Sequence, residues 1–285
     1  MKHSLDNKQD LALTKQWLEQ ADAIVIGAGA GLSAAAGLVY GGARFEHHFA
    51  QYRRKYGLTD MYSAGFFPFA TPELKWAYWS RHILINRFDT PQQNVYSTLH
   101  NLVAHKPHFV ITTNADGLFG AAGFDSGHIF TVQGDYGKLQ CATPCHDVLY
   151  DNEAQIRSMV AASDNGQVPT ALVPQCPRCG GPMEVNIRKD ATFVQDDLWV
   201  QQCNEYERFI EDYADKKLVL LELGIGFNTP SIIKFPFNQM TEHWPQTHLV
   251  RVNLHEQEAQ QWQHESARHL VMDASDWLNA ITTAV

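Results

Sequence analysis

Three glycines in alternation, Gly27-Ala28-Gly29-Ala30-Gly31, run directly into Leu32-Ser33-Ala34-Ala35. At a strand-to-helix turn, residues without side chains let the backbone close on a pyrophosphate, and the N–H groups and dipole of the following helix favour its charge. A second glycine turn, Gly224-Ile225-Gly226, follows another apolar run. Between the two, Thr112-Thr113-Asn114-Ala115-Asp116 puts an amide and a carboxylate just past an apolar stretch, where polar groups face a ligand if that stretch is a strand. A simple Asn/Asp turn with a helix cap explains the same residues. Cys141 and Cys145, then Cys176 and Cys179 after thirty intervening residues, are two thiol pairs with the spacing of a zinc site, and Pro177 with Gly180-Gly181 supplies the turn of a knuckle. Four protein ligands leave no open coordination position, so the metal is expected to be structural. His146 is an alternative ligand, and Cys203 reads as an apolar core residue.

These groups need elements to hold them. Short β-branched runs predict strands in the apolar run that opens Ala23–Leu32, at His108–Thr112, His128–Val132, Leu218–Leu223, His248–Leu254 and residues 268–272. Helices are predicted over residues 8–20, Pro72–Arg87, Pro91–Val103, Val200–Tyr213 and from Ala274. Residues 38–70 read as a long irregular binding loop or lid, and Asp147–Pro174 as a polar surface excursion. The alternation predicts an α/β fold: a Rossmann-like doubly wound parallel sheet with a smaller split domain. The sheet domain takes residues 1–43, 98–136 and 203–285; the helical insertion 44–97 and the zinc-ribbon module 137–202 together form the small domain.

Composition narrows the partners. With 285 residues, 45% of them hydrophobic, the chain can bury a substantial core, and a net charge of −9 argues against a nucleic-acid binder. The first residues carry no apolar signal core, and the longest apolar stretch, Ala23–Val39, is too short to span a bilayer, so a cytoplasmic protein without a membrane partner is expected.

The glycine spacing is G-x-G-x-G rather than the G-x-G-x-x-G of hydride-transfer enzymes, and Glu46, at the distance of a ribose-binding carboxylate, lies in the irregular segment. The chain instead resembles the sirtuin family of NAD-dependent enzymes. Gly27 to Ser33 matches that family's first motif, Thr112 to Asp116 its T-Q-N-x-D motif, and Gln133-Gly134 falls on its His-Gly pair. The cysteine pairs, Gly224-x-Gly226 and Val252-Asn253 follow in order. The resemblance implies NAD as co-substrate, structural zinc, and NAD contacts from Gly27, Ala28, Gly29, Leu32, Ser33, Arg44, Phe45, Asn114, Asp116, Gln133, Gly224, Gly226 and Asn253.

Two departures redirect the chemistry. The family's G-I-P-D-F-R segment is replaced by Gly37 through Phe45, and its catalytic His by Gln133, an amide that cannot titrate near neutral pH. Deacylation by the usual route is therefore expected to be weak or absent. Together the changes are similar to class M sirtuins, microbial members encoded beside a macrodomain, which transfer ADP-ribose to a glycine-cleavage H-like carrier bearing lipoate. This resemblance implies mono-ADP-ribosylation with Asn114, Gln133 and Arg188 at the reacting centre, and a macrodomain hydrolase acting on the product. Asn114 would bind the ribose or an ordered water, Asp116 the nicotinamide carboxamide, Phe45 would shield the departing ring, and Arg44 would lie near the phosphates. Arg188 would orient an acidic acceptor, its alternative being a solvated surface charge. An acceptor carboxylate is already ionised at neutral pH and needs no base to attack the ribose. A deacylase working through Gln133 and water, or a non-catalytic NAD or ADP-ribose binding module, are the competing readings.

Overall fold

The computed structural model describes residues 2–91, 94–254 and 262–283, with side chains from residue 8 onward. In chain order the elements are α1 (Lys2–Gln20), β1 (Ala23–Ala28), α2 (Ala30–Ala35), α3 (Gly42–Tyr56), α4 (Met61–Gly65), α5 (Pro72–Ile83), α6 (Asn94–Val103) and β2 (His108–Thr112). They continue with α7 (Leu118–Ala121), β3 (Ile129–Thr131), β4 (Gly134–Cys141), β5 (Tyr150–Asp151), α8 (Glu153–Ala162), β6 (Met183–Ile187) and α9 (Asp197–Tyr213). The last are β7 (Leu218–Leu223), α10 (Lys234–His243), β8 (Thr247–Asn253), β9 (Ala267–Val271) and α11 (Ala274–Thr283).

Six strands form one parallel sheet in the order β3-β2-β1-β7-β8-β9. Strands β1 and β7 are buried along their whole length, as continuous apolar runs in a sheet covered on both faces should be. Successive side chains of β1 alternate between two cores: Ile24, Ile26 and Ala28 pack with Trp17, Tyr96 and Trp277 from α1, α6 and α11, whereas Ala23 and Val25 face Phe237 of α10. Strand order reverses between β1 and β7, and a crevice opens at the carboxyl ends of the two strands flanking such a switch point. Both glycine turns lie there.

The predicted doubly wound sheet and its six strands are present, but two segments differ from expectation. Residues 38–70 are not an irregular lid: α3 puts Phe45, Phe49 and Tyr52 on one face at helical spacing, and these pack with Met61 and Tyr78 into an aromatic core. Polar His47, His48, Arg53 and Arg54 on the outer face masked that stripe. Gly57, at φ 71°, closes α3, and Asp60 caps α4 by accepting from the Ser63 N–H. Nor is Asp147–Pro174 merely a surface excursion, because α8 buries Ile156 and Met159 completely against α5 and the small sheet. Two apolar anchors in ten residues leave little periodicity to read.

That small sheet is antiparallel, in the order β5-β4-β6. Helix α5 joins it to the aromatic core, with Trp76 on one side and Tyr78 on the other, then continues as a π-helical turn at Leu84–Phe88. The expected boundary between residues 202 and 203 falls inside α9, whose Trp199 already packs on Phe130 of β3 at a centroid distance of 5.0 Å. Among the described residues no helix is long and apolar enough to cross a membrane.

Candidate functional site

The two glycine turns touch each other and form one end of a cavity of about 440 Å³. The N–H of Gly31 donates to the Gly224 carbonyl at 2.9 Å, and a Cβ on Gly31 would stand 2.6 Å from the Gly224 Cα. Gly224 itself has φ +62°, and a Cβ there would lie 2.4 Å from the Leu32 nitrogen. These glycines are required by turn-on-turn packing. The N–H groups of Gly29 and Leu32 are likewise engaged, with the carbonyls of Leu223 and Gly29 at 3.0 Å each, so the backbone presents fewer free donors than the motif suggests. Gly27 lies lower still. Its missing Cβ makes room for Ile233 and Phe237, which a methyl would approach to 2.5 and 2.7 Å.

Past the turns the cavity is lined by Thr113, Asn114, Ala115 and Gln133, with Gly226, Asn228, Thr229 and Asn253 on the β7–β8 side. Asn114 is almost fully buried and lines the cavity at the β2 strand end; its amide nitrogen donates to the Gly29 carbonyl at 2.9 Å, which ties the strand end to the first glycine turn. Asn253 donates to Ile225 at 2.8 Å and ties β8 to the second glycine turn. Gln133, half buried after β3, has its backbone carbonyl held by the Arg188 N–H at 3.0 Å. Gly29, Asn114, Gln133, Gly224, Gly226 and Asn253 are thus brought together.

Other sequence candidates stand elsewhere. Ala28 uses its carbonyl to accept from Thr112 and Thr113, and Leu32 is buried in the core beneath α2. Ser33 donates to Asp116 Oδ2 at 2.6 Å and meets Tyr96 Oη at 3.2 Å. Asp116 is spent on Ser33 and the Leu118 N–H, and burial raises its carboxyl pKa while those two donors oppose the rise. It braces the loop instead of lining the cavity. Arg44 donates to Asn86 Oδ1 at 2.7 Å and the Ile85 carbonyl at 2.8 Å, fastening α3 to the π-helical turn. Phe45 is fully buried in the aromatic core, so its ring is not positioned to shield a leaving group. Arg188 is exposed, its guanidinium lying over Phe193 at 4.7 Å and Trp199 at 5.4 Å, which corrects its placement in the cleft. The reason is local: β6 ends at Ile187, so the next side chain turns to the outer face.

The opposite limb of the cavity was not legible in the motifs. Tyr40, Met61, Tyr62, Phe66, Trp79, His82 and Tyr136 make an apolar, largely aromatic passage between the helical insertion and the small sheet. Glu184 and Lys189 line it too, paired at 2.9 Å, and Lys75 also binds Glu184. The two lysines hold the Glu184 carboxyl below its ordinary pKa against the desolvation that raises it. On the β7 side, Glu222 accepts from Lys234 at 2.7 Å and from Arg251 at 2.7 and 2.6 Å, all three buried. A lone Glu inside an apolar strand was the signal for this cluster, which anchors both ends of the loop from Gly224 to Ile233.

The four cysteines converge. Their sulfurs lie within 4.8 Å of one another, with Cys141–Cys179 and Cys145–Cys176 at 3.7 Å. Sulfurs about 2.3 Å from a single zinc define a tetrahedron with edges of about 3.8 Å. The donor set therefore fits structural zinc, ligated by Cys141, Cys145, Cys176 and Cys179. His146 stands beside it, with Nδ1 against Cys145 Sγ at 3.0 Å and Nε2 against Tyr150 Oη at 2.8 Å, so it is a neighbour of the sulfur cluster. Cys203 is on the half-buried face of α9.

The Sir2 family profile matches residues 29–224 of this chain. A protein ADP-ribosyltransferase of Staphylococcus aureus strain Mu50 is 42% identical over 225 residues, spanning 79% of this chain and 71% of that protein. A probable bifunctional ADP-ribose hydrolase/ADP-ribosyltransferase of Fusarium oxysporum f. sp. cubense is 32% identical over 90% of this chain, which spans only 44% of the fungal protein. Among solved structures, a Sir2 protein with deacetylated p53 peptide and 3'-O-acetyl ADP-ribose superposes with a TM-score of 0.58 at 17% identity, covering 95% of this chain and 97% of that one. A second, bound to a propionylated peptide, gives a TM-score of 0.55 at 18% identity over 99% and 97% of the two chains. Switch-point crevice, paired glycine turns and four-sulfur cluster agree with these likenesses: the chain belongs to the Sir2 family, whose members use NAD as co-substrate.

Proposed function

We propose that this protein transfers a single ADP-ribose from NAD to an acceptor protein; the name of its staphylococcal relative, protein ADP-ribosyltransferase, supports the transfer. The observation that carries the reading is the side chain at the reacting centre. Gln133 lines the cavity beside Asn114 where the family's His-Gly pair stands, and an amide neither takes up nor gives up a proton at neutral pH. The remaining histidine of the cavity, His82, is kept neutral by burial. A cavity so lined favours a reaction that needs no base. In the transfer, the C1'–N bond to nicotinamide breaks, its electron pair leaves with the ring, and an ionised acceptor carboxylate forms the new C1'–O bond without a proton transfer. The Asn114 and Gln133 amides orient the ribose by hydrogen bonds, while Asn253 and the turn at Gly224 and Gly226 hold the adenosine half. Zinc, bound by the four cysteines, supplies a fixed covalent tie for the small sheet and takes no part in the chemistry.

The acceptor we favour is a lipoylated carrier of the glycine-cleavage H type. The aromatic passage from Tyr62 and Phe66 inward suits a long apolar arm, and Lys189 at its side suits an acidic acceptor surface. A macrodomain hydrolase that removes the product is the matching partner, in keeping with the bifunctional name of the fungal relative. Labelled NAD incubated with the protein and a lipoylated or unlipoylated carrier tests the reading. Label should pass to the lipoylated carrier and fall at least a hundredfold with Asn114→Ala. No transfer to either carrier by zinc-loaded protein overturns the proposal, and release of O-acyl-ADP-ribose from an acylated peptide replaces it with deacylation.

A further inference from the structure

The inner wall of the aromatic passage contains a polar group that none of the described residues satisfies. His82 is 1% exposed and lines the cavity, and its Nε2 has no hydrogen-bond partner among the described residues. Its protonation follows from its neighbours. Tyr78 Oη donates to the Met61 carbonyl at 2.9 Å, so its proton is committed, and Nδ1 of His82 lies 3.2 Å from that same oxygen. The contact is a hydrogen bond only if Nδ1 carries the proton. Nε2 is then a bare lone pair, an acceptor in a site where leaving one unpaired is costly.

A donor stands close by. Tyr40 and Tyr136 share one hydrogen bond, Oη to Oη at 2.8 Å, so one of the two hydroxyl protons serves the pair and the other is available to a ligand. Their rings meet the His82 ring edge-on, with centroids at 5.7 and 4.9 Å, and Trp79 closes the side at 5.1 Å. An aromatic slot offering one O–H donor and one neutral acceptor matches the two halves of an amide, C=O to the tyrosine and N–H to the histidine. It does not match a carboxylate, which has no proton for Nε2. Asp116, to which a carboxamide contact was assigned from the motif, is already occupied by Ser33 and Leu118.

We propose that His82, with the Tyr40–Tyr136 pair, is an amide-recognition site in the cavity. Two amides belong to the proposed reaction, on which this inference rests: the primary carboxamide of the nicotinamide ring and the secondary amide of an acylated lysine on the acceptor.

Steady-state kinetics with NAD, with its 3-acetylpyridine analogue and with acylated carrier separate them, because the analogue keeps the C=O and lacks the N–H. If the slot reads nicotinamide, His82→Phe raises KM for NAD about tenfold, leaves KM for the analogue and kcat nearly unchanged, and His82→Gln restores most of the loss. If it reads the acceptor, KM for the acylated carrier rises instead and the NAD-to-analogue ratio holds. A His82→Phe protein with wild-type melting temperature and all three KM values intact overturns the proposal. Should His82→Phe fail to fold, the Tyr40→Phe/Tyr136→Phe double variant tests the donor side: NAD and the analogue share the C=O, so KM for both rises together if the slot reads nicotinamide, KM for the acylated carrier rises alone if it reads the acceptor, and three unchanged values overturn the proposal. Wild-type protein that consumes no NAD would sink the transferase reading alone; binding of free nicotinamide and of an acetyl-lysine peptide to wild type and His82→Phe then decides the amide site, with equal affinities for both proteins overturning it.

Discussion

His82 is held neutral in the fold: burial, reinforced by the Arg44 charge, pushes its pKa down to about 3. A histidine in the unfolded chain titrates near 6.5, so below that pH the unfolded chain binds a proton that folded His82 refuses. Stability should be insensitive to this group above pH 7 and fall by about 1.4 kcal/mol per pH unit from roughly 6.5 toward 3. His269, pushed down to about 4 by burial and then Arg251, acts with the same sign. The raised carboxyl of Asp116 acts oppositely, in the carboxylate range. Denaturation midpoints at pH 7, 6 and 5 in wild type and His82→Phe check this, the variant giving the shallower slope; identical slopes would assign the pH dependence to other groups. At this scale the structure brings Asn114, Gln133 and Asn253, which the motifs singled out, to the cavity wall, because a polar residue at the end of a buried strand has few places to go. It turns Phe45 and Arg188 away from the cavity, since their directions depend on which way a helix face and a strand end turn.

The two glycine turns are one structural unit, and glycine is needed at its positions for different reasons. A Cβ on Gly31 meets the Gly224 backbone at 2.6 Å, where nothing flexible can yield, whereas a Cβ on Gly226 meets nothing within 4 Å among the described residues. Gly31→Ala should therefore destabilise by about 1–3 kcal/mol, the usual range for overpacking, and weaken NAD binding, while Gly226→Ala should leave thermal stability unchanged. Melting curves with and without NAD read both effects. Equal behaviour of the two variants would show that the turns separate more readily than their packing indicates. The buried Glu222, Lys234 and Arg251 cluster works at the same scale: one carboxylate serves two cations, and α10, β7 and β8 are thereby set around the loop that walls the cavity. Neither feature was visible as periodicity. Spacing suggested phosphate-binding glycines, and only the contact between turns distant in the chain showed what each one does.

Across the whole molecule, the cavity lies where the sheet reverses strand order and the zinc-bearing sheet meets the helical insertion. Cys141 and Cys176 are buried in the core shared by α5, α8 and the small sheet, so the metal ties together the wall that carries Tyr136, Glu184 and Lys189. Chelation should loosen β4 to β6 and α8 before the parallel sheet, seen as early amide exchange around residues 141–179 while β1 and β7 stay protected. Simultaneous loss of protection in both would contradict it. The parallel sheet, its strand positions and the four-cysteine cluster were determined by the sequence itself, because buried strands need continuous apolar runs and a metal site needs its ligands in pairs. Tertiary structure alone decided which glycines pack and which line the cavity, that α3 and α8 are core helices, and that Tyr40, His82 and Tyr136 converge. These are contacts between segments far apart in the chain, and no local pattern encodes the direction from which a distant side chain arrives.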